Sequence, residues 1–445
     1  MTRLRTCIGG ALGLLAIAAA SAAAAAPTAA PALLAHQAAL ELDGAGTSWL
    51  ATSTALVLLM TLPGLALFYG GMVRRKNVIA TITQSVGVFS VVTLAWFIAG
   101  YTLAFGTNGS EGANAWIGSL DALFLNGVTL ETAHSLLPGI PEFVFLSFQL
   151  TFAIITPALV TGAFAERLKY SGLLLFTFLW SLIVYSPIAH WVWGGGFLGA
   201  SGVLDFAGGA VVHVNSGVAG LVCALFLGAR KGYGTVPINP HNPVLTMIGA
   251  SLLLVGWIGF NAGSAGAANA LAGAALINTI LAAAAGALSW KLVEVIEKKK
   301  ISLIGMLSGI VAGLVAITPA AGFVDPKGAV IIGLIAGPVC YAASIWIKKL
   351  LKYDDSLDAF GIHGAGGLAG ALLTGVFATT TINSLSEGAN VGTQLIGLLW
   401  TIGYSAIGTF VILLICKYTT GLRVTEAGED EGLDTHLHGE ALESV

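Results

Sequence analysis

Charged residues are scarce in this 445-residue chain. Asp, Glu, Lys and Arg together make up 9% of it, whereas 56% of the residues are hydrophobic. A soluble protein carries about 25% charged residues, which cover its surface. The low charge therefore excludes a soluble enzyme, a nucleic-acid-binding protein and a disordered chain. The remaining class is a protein with many membrane-spanning segments, whose main partner is the lipid bilayer.

Cysteine is also rare, with four residues in the whole chain. Cys7 lies near the N-terminus, and Cys223, Cys340 and Cys416 each lie in an apolar segment. None of their spacings is typical of a zinc site or a disulfide framework. They are predicted to pack as small hydrophobic residues, and the sequence predicts neither a metal nor a cofactor.

The first 26 residues have the pattern of a secretory signal peptide. Arg3 and Arg5 precede an apolar stretch that starts at Ile8, and an Ala-rich run ends near Ala26. A short apolar core followed by small residues is typical of a peptide that is removed by cleavage. An additional, uncleaved transmembrane helix is the alternative. Cleavage would place the new N-terminus outside the cytoplasm.

Eleven apolar segments follow, each close to the length of about 20 residues that a helix needs to cross a bilayer. They run approximately over 49–71, 78–105, 142–165, 170–194, 205–228, 243–262, 267–290, 301–319, 329–348, 359–379 and 392–416. These segments predict an all-α polytopic membrane protein with eleven transmembrane helices. The membrane domain is expected to occupy residues 27–418.

The basic residues are distributed very unequally among the predicted loops. Sixteen follow the odd-numbered segments: Arg74, Arg75, Lys76, Arg167, Lys169, Arg230, Lys231, Lys291, Lys298, Lys299, Lys300, Lys348, Lys349, Lys352, Lys417 and Arg423. The loops after the even-numbered segments contain one, Lys327. Because cytoplasmic loops carry the excess of Lys and Arg, the N-terminus is predicted outside and the C-terminus inside. Cleavage of the signal peptide requires the same orientation.

Two stretches, in predicted segments 5 and 10, resemble each other. Each contains an Asp (Asp205 or Asp358) and a His one or two helical turns later (His213 or His363). In both, Gly, Ala and Gly follow the His at offsets of four, six and seven residues. Segments 5 and 10 run in opposite directions, so the chain is predicted to contain an inverted repeat. The repeats cover about 48–230 and 242–380, and the segment over 392–416 is an addition.

The repeat predicts that His213 and His363 enter from opposite faces and meet inside the protein. Ionisable groups within a membrane are costly and usually line a pathway. Each Asp is predicted to cap its helix by accepting backbone N–H bonds. The alternative is that both His residues are hydrogen-bonded core groups. His190 has no counterpart in the repeat and is predicted to be structural.

Several longer motifs carry a family resemblance. They are the run from Asp205 through Gly208, Gly209, Ser216, Gly217 and Gly220 to Arg230, Pro63-Gly64 with Phe68-Tyr69-Gly70-Gly71, Gly162-Ala163-Phe164-Ala165-Glu166-Arg167, His190-Trp191-Val192-Trp193-Gly194-Gly195-Gly196, Gly259 to Gly266, and Phe360-Gly361-Ile362-His363-Gly364. From about residue 48 to 440, the sequence resembles a bacterial ammonium transporter of the Amt/Mep/Rh family. The resemblance implies a multi-pass channel or transporter of the cell inner membrane for nitrogen uptake, not an enzyme, assembled as a homotrimer with one pore per subunit.

The resemblance also assigns roles to eight side chains. They are Phe148, Trp193 and Ser264 at an outer recruitment site for NH4+ or methylammonium, Phe152 and Phe260 at a gate below it, His213 and His363 in the pore, and Asp205 as a support of the recruitment site.

The chemistry of these side chains suits ammonium. Phe148 and Phe152 share a helix face, although such a pair is more often core packing. Aromatic faces attract a cation, and the Ser264 hydroxyl can accept an N–H bond. Beyond the gate a bare cation would be costly, but ammonium can lose a proton and continue as NH3, whereas K+ cannot. The hypothesis is deprotonation near the gate and passage of NH3 past two neutral imidazoles, with the fate of the proton left open.

Residues 419–445 form a polar, acidic tail. Gly421-Leu422-Arg423-Val424 and Glu431-Gly432-Leu433-Asp434 resemble the ordered cytoplasmic tail of the family. That resemblance implies packing against a neighbouring subunit and regulation by a PII-type signal protein. Metal binding by His436 and His438 is disfavoured against a solvated chain end.

Three other functions are compatible with parts of this pattern. A proton-coupled secondary transporter of another small solute could use the inverted repeat and the His pair. An ammonium sensor with weak conduction is disfavoured because the short tail carries no signalling domain. An intramembrane hydrolase using Ser216 or Ser264 is disfavoured because no acidic residue lies deep in a span beside a Ser–His pair.

Overall fold

The structure is a computed structural model that describes residues 42–442, and no β-strand forms within them. Eleven apolar helices follow one another: α1 (Gly44–Met72), α2 (Arg75–Phe105), α3 (Glu142–Phe164), α4 (Tyr170–Ala200), α5 (Gly209–Leu227), α6 (Pro243–Gly263), α7 (Ala270–Lys298), α8 (Leu303–Ile317), α9 (Pro326–Leu351), α10 (Phe360–Phe377) and α11 (Val391–Thr419). Ten are long and apolar enough to cross a membrane, and α8 is a shorter apolar helix of 15 residues. The predicted all-α polytopic fold is confirmed. The predicted signal peptide, residues 1–26, lies outside the described residues.

Six of the eleven helices begin directly after a capping side chain. A short polar side chain at the N-cap accepts a backbone N–H that has no partner within the helix. Six helices start in this way, after Asp43, Asn242, Asn269, Ser302, Asp325 and Asn390. Helix α7 continues about two turns past its predicted end near residue 290. Its last turns contain Lys and Glu, which favour a helix although they are not apolar.

The loops after α1, α3, α5, α9 and α11 meet at one side of the bundle, which we call the basic face. Arg74 after α1 and Arg230 after α5 contact the Glu166 carboxylate after α3 at 2.7 Å and 3.3 Å. Arg230 also pairs with Asp354 after α9 at 2.8 Å. Arg423 after α11 donates to backbone carbonyls of the loop after α5. The alternating charge pattern therefore does group these loops, although the side of the membrane on which they lie stays a prediction.

Most of this ion-pair cluster is buried. Burial alone would raise the pKa of Asp354, but hydrogen bonds and charge from Arg230 lower the pKa of Asp354 below its ordinary value. Removing one partner of a buried pair leaves an uncompensated charge, which costs about 3–5 kcal/mol. The cluster thus fixes the loops of the basic face relative to one another.

The chain end forms a tail that docks on the same face. It contains α12 (Glu426–Glu431) and a helical turn, Asp434–His438. Lys76 donates to the Glu429 carbonyl at 2.7 Å, and the Asp434 carboxylate accepts from the Ala80 N–H at 2.8 Å. These contacts lie within one chain. Packing against a neighbouring subunit, which the resemblance implies, stays a prediction.

Helices α5 and α10 touch backbone to backbone at two glycines. A Cβ atom on Gly217 would lie 2.2 Å from the Gly364 N and 2.4 Å from the Gly364 Cα. A side chain cannot fit between two backbones this close, and glycine is required there. His213 lies about one turn before Gly217, and His363 directly precedes Gly364, so each helix carries one of the repeat histidines close to this crossing.

We expect Gly217→Ala to destabilise the protein by about 2 kcal/mol or more, because overpacking has to separate the two helices. The measurement is the thermal unfolding midpoint of the purified protein in detergent. Gly403→Ala is the matched control, since nothing lies within 4 Å of a Cβ at Gly403 on α11. Equal midpoints for the two variants would contradict a close crossing of α5 and α10.

Candidate functional site

Three cavities lie in series through the bundle. The vestibule cavity, of about 390 Å³, is lined by Phe148, Phe152, Trp193 and Ser264 among others. The histidine cavity is lined by Phe260, Trp257, His213 and His363, and its volume of about 10 Å³ suits about one water-sized molecule. The basic-face cavity shares His363 and Tyr69 with the histidine cavity and continues to Ser308 and Asp358. Together they mark a path that passes seven of the eight predicted site residues.

The vestibule cavity has an aromatic wall. Phe148 and Phe152 on α3 are 5.0 Å apart between ring centroids, and Phe152 and Trp193 are 5.7 Å apart with near-perpendicular rings. Ser264 follows the end of α6, and its hydroxyl donates to the Phe260 carbonyl at 2.8 Å. The lone pairs of that hydroxyl stay free to accept another donor. The structure thus brings the three predicted recruitment residues together around one cavity.

Two stacked rings separate the vestibule cavity from the histidine cavity. The ring centroids of Phe152 and Phe260 are 4.2 Å apart, with planes inclined by 25°. Both side chains are at most 1% exposed. A hydrated ion cannot pass this stack without movement of a ring, so the pair forms an apolar barrier.

Two histidines meet in the middle cavity. Their Nδ1 atoms are 3.3 Å apart, and their rings are nearly parallel with centroids 5.3 Å apart. In two neutral rings, one Nδ1 donates and the other accepts. The Nε2 atom of His213 is buried and has no partner among the described residues. The pair therefore keeps hydrogen-bonding capacity on a cavity whose other walls are mainly apolar.

Asp205 lies at the N-terminal end of α5 and does not line the vestibule cavity. Its two carboxylate oxygens accept four backbone N–H bonds of 2.6–3.0 Å, from residues 208–211. Burial raises the pKa of Asp205, and these backbone donors oppose that rise. Its backbone carbonyl accepts a bond of 2.8 Å from the Trp193 indole N–H. Asp205 thus fixes both the start of α5 and the orientation of Trp193.

The prediction that Asp358 is the counterpart of Asp205 in the second repeat is wrong. Asp358 does not cap α10, because its backbone φ is +61° and its carboxylate pairs with Lys348. The cap is Asp355, which accepts from the Ala359 and Phe360 N–H groups at 3.0 Å and 2.8 Å. The sequence does contain the signal for Asp355, because it precedes His363 by eight residues, as Asp205 precedes His213, whereas Asp358 precedes it by five. Asp358 instead lines the basic-face cavity.

The structure also shows the surroundings of two residues that were not assigned to the predicted site, His190 and Trp257. His190 lies between two backbone carbonyls, those of Ala104 at 3.0 Å and Asn114 at 2.7 Å, and does not line the three cavities. Trp257 stacks on His213 at 5.3 Å and 24°, and its indole N–H donates to Thr318. Its position three residues before Phe260 places it on the same helix face, which is the available signal in the sequence.

Comparison with protein families gives a match over nearly the whole described region. The model of the Ammonium Transporter Family matches residues 48–442. An ammonium transporter of Bacillus subtilis is 48% identical over 397 residues, covering 86% of this chain and 95% of that protein. An ammonium transporter of Aquifex aeolicus is 47% identical over 415 residues, covering 91% and 95%.

Solved structures of related proteins have the same helical fold. The crystal structure of Saccharomyces cerevisiae Mep2 superposes with a TM-score of 0.79 at 36% identity, covering 86% of this chain and 88% of that chain. A structure described as a sensor Amt protein superposes with a TM-score of 0.81 at 30% identity, covering 89% and 98%.

Proposed function

The chain belongs to the ammonium transporter family, and on that premise we propose that it recruits NH4+ at the vestibule cavity and conducts NH3 past two histidines. The observation that carries this proposal is the order of the three cavities. An aromatic cup, a stacked apolar barrier and a histidine pair follow one another along one path. The relatives described as ammonium transporters support the substrate.

Recruitment favours a small cation with N–H groups. The faces of Phe148 and Trp193 attract a positive charge, and the attraction strengthens as the ion loses water. The Ser264 hydroxyl can accept one N–H bond because its own proton is directed to the Phe260 carbonyl. These groups offer little to an anion. NH4+ and methylammonium both fit this chemistry.

The stacked barrier separates the charged from the neutral form of the substrate. Beyond Phe152 and Phe260 the path is nearly apolar, so a desolvated cation would be costly there. NH4+ escapes this cost by giving up a proton, whereas K+ cannot. The facing imidazoles then provide hydrogen bonds for NH3 in a space of about one small molecule. The route by which the proton leaves is open in this scheme.

We propose that the protein is a multi-pass channel of the cell inner membrane with the vestibule outside and the basic face inside. The basic loops support this orientation through the excess of Lys and Arg on the cytoplasmic side. Residues 1–26 would be a cleaved signal peptide and residues 27–418 the membrane domain. Assembly as a homotrimer with one pore per subunit is part of the proposal.

The direct test is uptake of methylammonium in a bacterial strain that lacks its own ammonium transporters. We expect saturable uptake that ammonium inhibits and that K+, amino acids and sugars do not. The matched control is the same strain with an empty vector at equal growth. Inhibition by an amino acid or a sugar instead of ammonium would identify a secondary transporter of another solute.

The tail, residues 419–445, is proposed to regulate transport and to be read by a PII-type signal protein. A chain of contacts supports this role: the Val424 N–H donates to the Arg167 carbonyl, and Arg167 donates to the carbonyl of Asp354. The next residue, Asp355, caps the helix that carries His363. Tail position and pore geometry are thus connected through a few bonds.

Deleting the residues beyond Lys417 is expected to lower methylammonium uptake about threefold at equal surface expression, because the contacts that hold Arg167 are loosened. Uptake rate per molecule in the membrane is the measurement. The control is Lys231→Ala, since its pair with Asp430 is exposed and contributes little. Unchanged uptake after the deletion would identify a passive tail.

A further inference from the structure

The loop between α2 and α3 forms one wall of the vestibule cavity. Leu136 and Leu137 in this loop line the cavity. A Cβ atom on Gly266 would lie 2.6 Å from the Leu137 Cδ2, so Leu137 packs directly against the backbone two residues after Ser264. The position of the loop therefore sets the shape of the cavity beside Ser264.

One side chain, His134, attaches this loop to both adjacent helices. Its ring stacks on Phe145 in the first turn of α3, with centroids 4.5 Å apart and planes inclined by 13°. Its Nε2 lies 2.9 Å from the carbonyl oxygen of Phe105, the last residue of α2. Its Nδ1 accepts a hydrogen bond of 3.2 Å from the Leu136 backbone N–H. Phe105 and Phe145 also line the vestibule cavity.

These two hydrogen bonds define one form of the ring. Since Nδ1 accepts, it carries no proton, and the proton on Nε2 donates to Phe105. A side chain without this acceptor would leave the Leu136 N–H without its hydrogen bond. The loop would then lose a contact that orients Leu136 and the adjacent Leu137.

The titratable and charged groups around His134 are few. Tyr101 faces it from α2, with ring centroids 6.5 Å apart. The Tyr101 hydroxyl donates to the Glu142 carboxylate at the start of α3 at 2.5 Å. Glu131 is the acidic residue of the loop itself close to His134 in sequence. The Glu142 carboxylate is thus engaged by Tyr101 instead of by the imidazole.

We infer that His134 is a positioning residue of the recruitment site: its stack on Phe145 and its two hydrogen bonds hold Leu136 and Leu137 in the vestibule wall. The ring acts through the loop and not by contact with the substrate. The inference rests on the proposed function, because it assigns the vestibule cavity to recruitment. Loss of these bonds weakens substrate binding and leaves the path beyond the gate unchanged. The expected signature is a change in KM without a change in maximal rate.

The first test compares the kinetics of methylammonium uptake by full-length variants at one external pH. His134→Phe keeps a ring against Phe145 but neither bond, so its KM is expected to be about fivefold higher than that of the wild type, with the maximal rate within about twofold. Leu130→Ala, at an exposed position of the same loop, should keep the wild-type KM.

The second test needs no transport. Hydrogen exchange should show protection of the Leu136 amide in the purified wild-type protein and its loss in His134→Phe. Protection of that amide in His134→Phe, or a wild-type KM of this variant, would overturn the role of His134. Absence of uptake in the wild type would instead refute the proposed function, and the exchange result would still decide whether His134 holds the loop.

Discussion

Replacement of His213 or His363 by alanine is expected to lower methylammonium uptake about tenfold or more and to raise K+ leakage. The two imidazoles contribute the polar groups of a cavity that holds about one small molecule. A neutral amine that crosses without these groups loses at least one hydrogen bond in an apolar space, which costs about 1–3 kcal/mol. The smaller alanine also widens the narrowest part of the path, so a hydrated ion is excluded less strictly.

Both fluxes are measured in the same cells, at equal amounts of protein in the membrane. Val214→Ala is the matched control, because Val214 is buried beside His213 and packs toward Leu398 of α11 instead of the pore. Val214→Ala also removes side-chain volume from a buried position, but that position does not line the path. Unchanged uptake together with unchanged K+ exclusion in a histidine variant would refute the proposed role of the pair.

Asp205→Ala is expected to destabilise the protein even more than Gly217→Ala. It leaves four backbone N–H groups at the start of α5 without an acceptor, and each unsatisfied buried group costs about 1–3 kcal/mol. Without these bonds the segment would become disordered, and the Asp205 carbonyl would no longer accept the Trp193 indole N–H. We therefore expect loss of both the folded protein and uptake.

The measurements are the thermal unfolding midpoint in detergent and uptake per molecule in the membrane. Asp205→Asn offers one acceptor oxygen and places its NH2 against the remaining donors, so it should be intermediate. Asp325→Ala is the matched control, because Asp325 caps α9 through a single N–H bond of 2.8 Å, worth about 1 kcal/mol. A midpoint for Asp205→Ala equal to that of Asp325→Ala would contradict the supporting role of Asp205.

The helices and the histidine pair were predictable because each produces a pattern that is visible along the sequence. Apolar length marks a span, and alternating basic loops order the spans without any knowledge of packing. The offsets after His213 and His363 fixed their equivalence, and opposite directions of α5 and α10 then implied a meeting. The structure brings their Nδ1 atoms to 3.3 Å.

Contacts between residues distant in sequence were not predictable in the same way. Asp355 is an exception, because it precedes His363 by the same eight residues as Asp205 precedes His213, and this spacing identifies the cap of α10 in the sequence. The stacking of Trp257 on His213 joins α6 to α5; the spacing from Phe260 indicates the helix face on which Trp257 lies, but not the residue of α5 that it contacts. The attachment of His134 depends on a loop whose course is set by Phe105 and Phe145.

The glycine crossing of α5 and α10 restricts how this protein can work. With a backbone amide of Gly364 next to the Gly217 Cα, no side-chain rotamer lies between the helices that could adjust their distance. The two histidines are therefore held close to a direct contact between the two helix backbones. If the protein conducts as proposed, we expect access to change by local rotation of rings such as Phe152 and Phe260, and not by alternating movement of the two repeats.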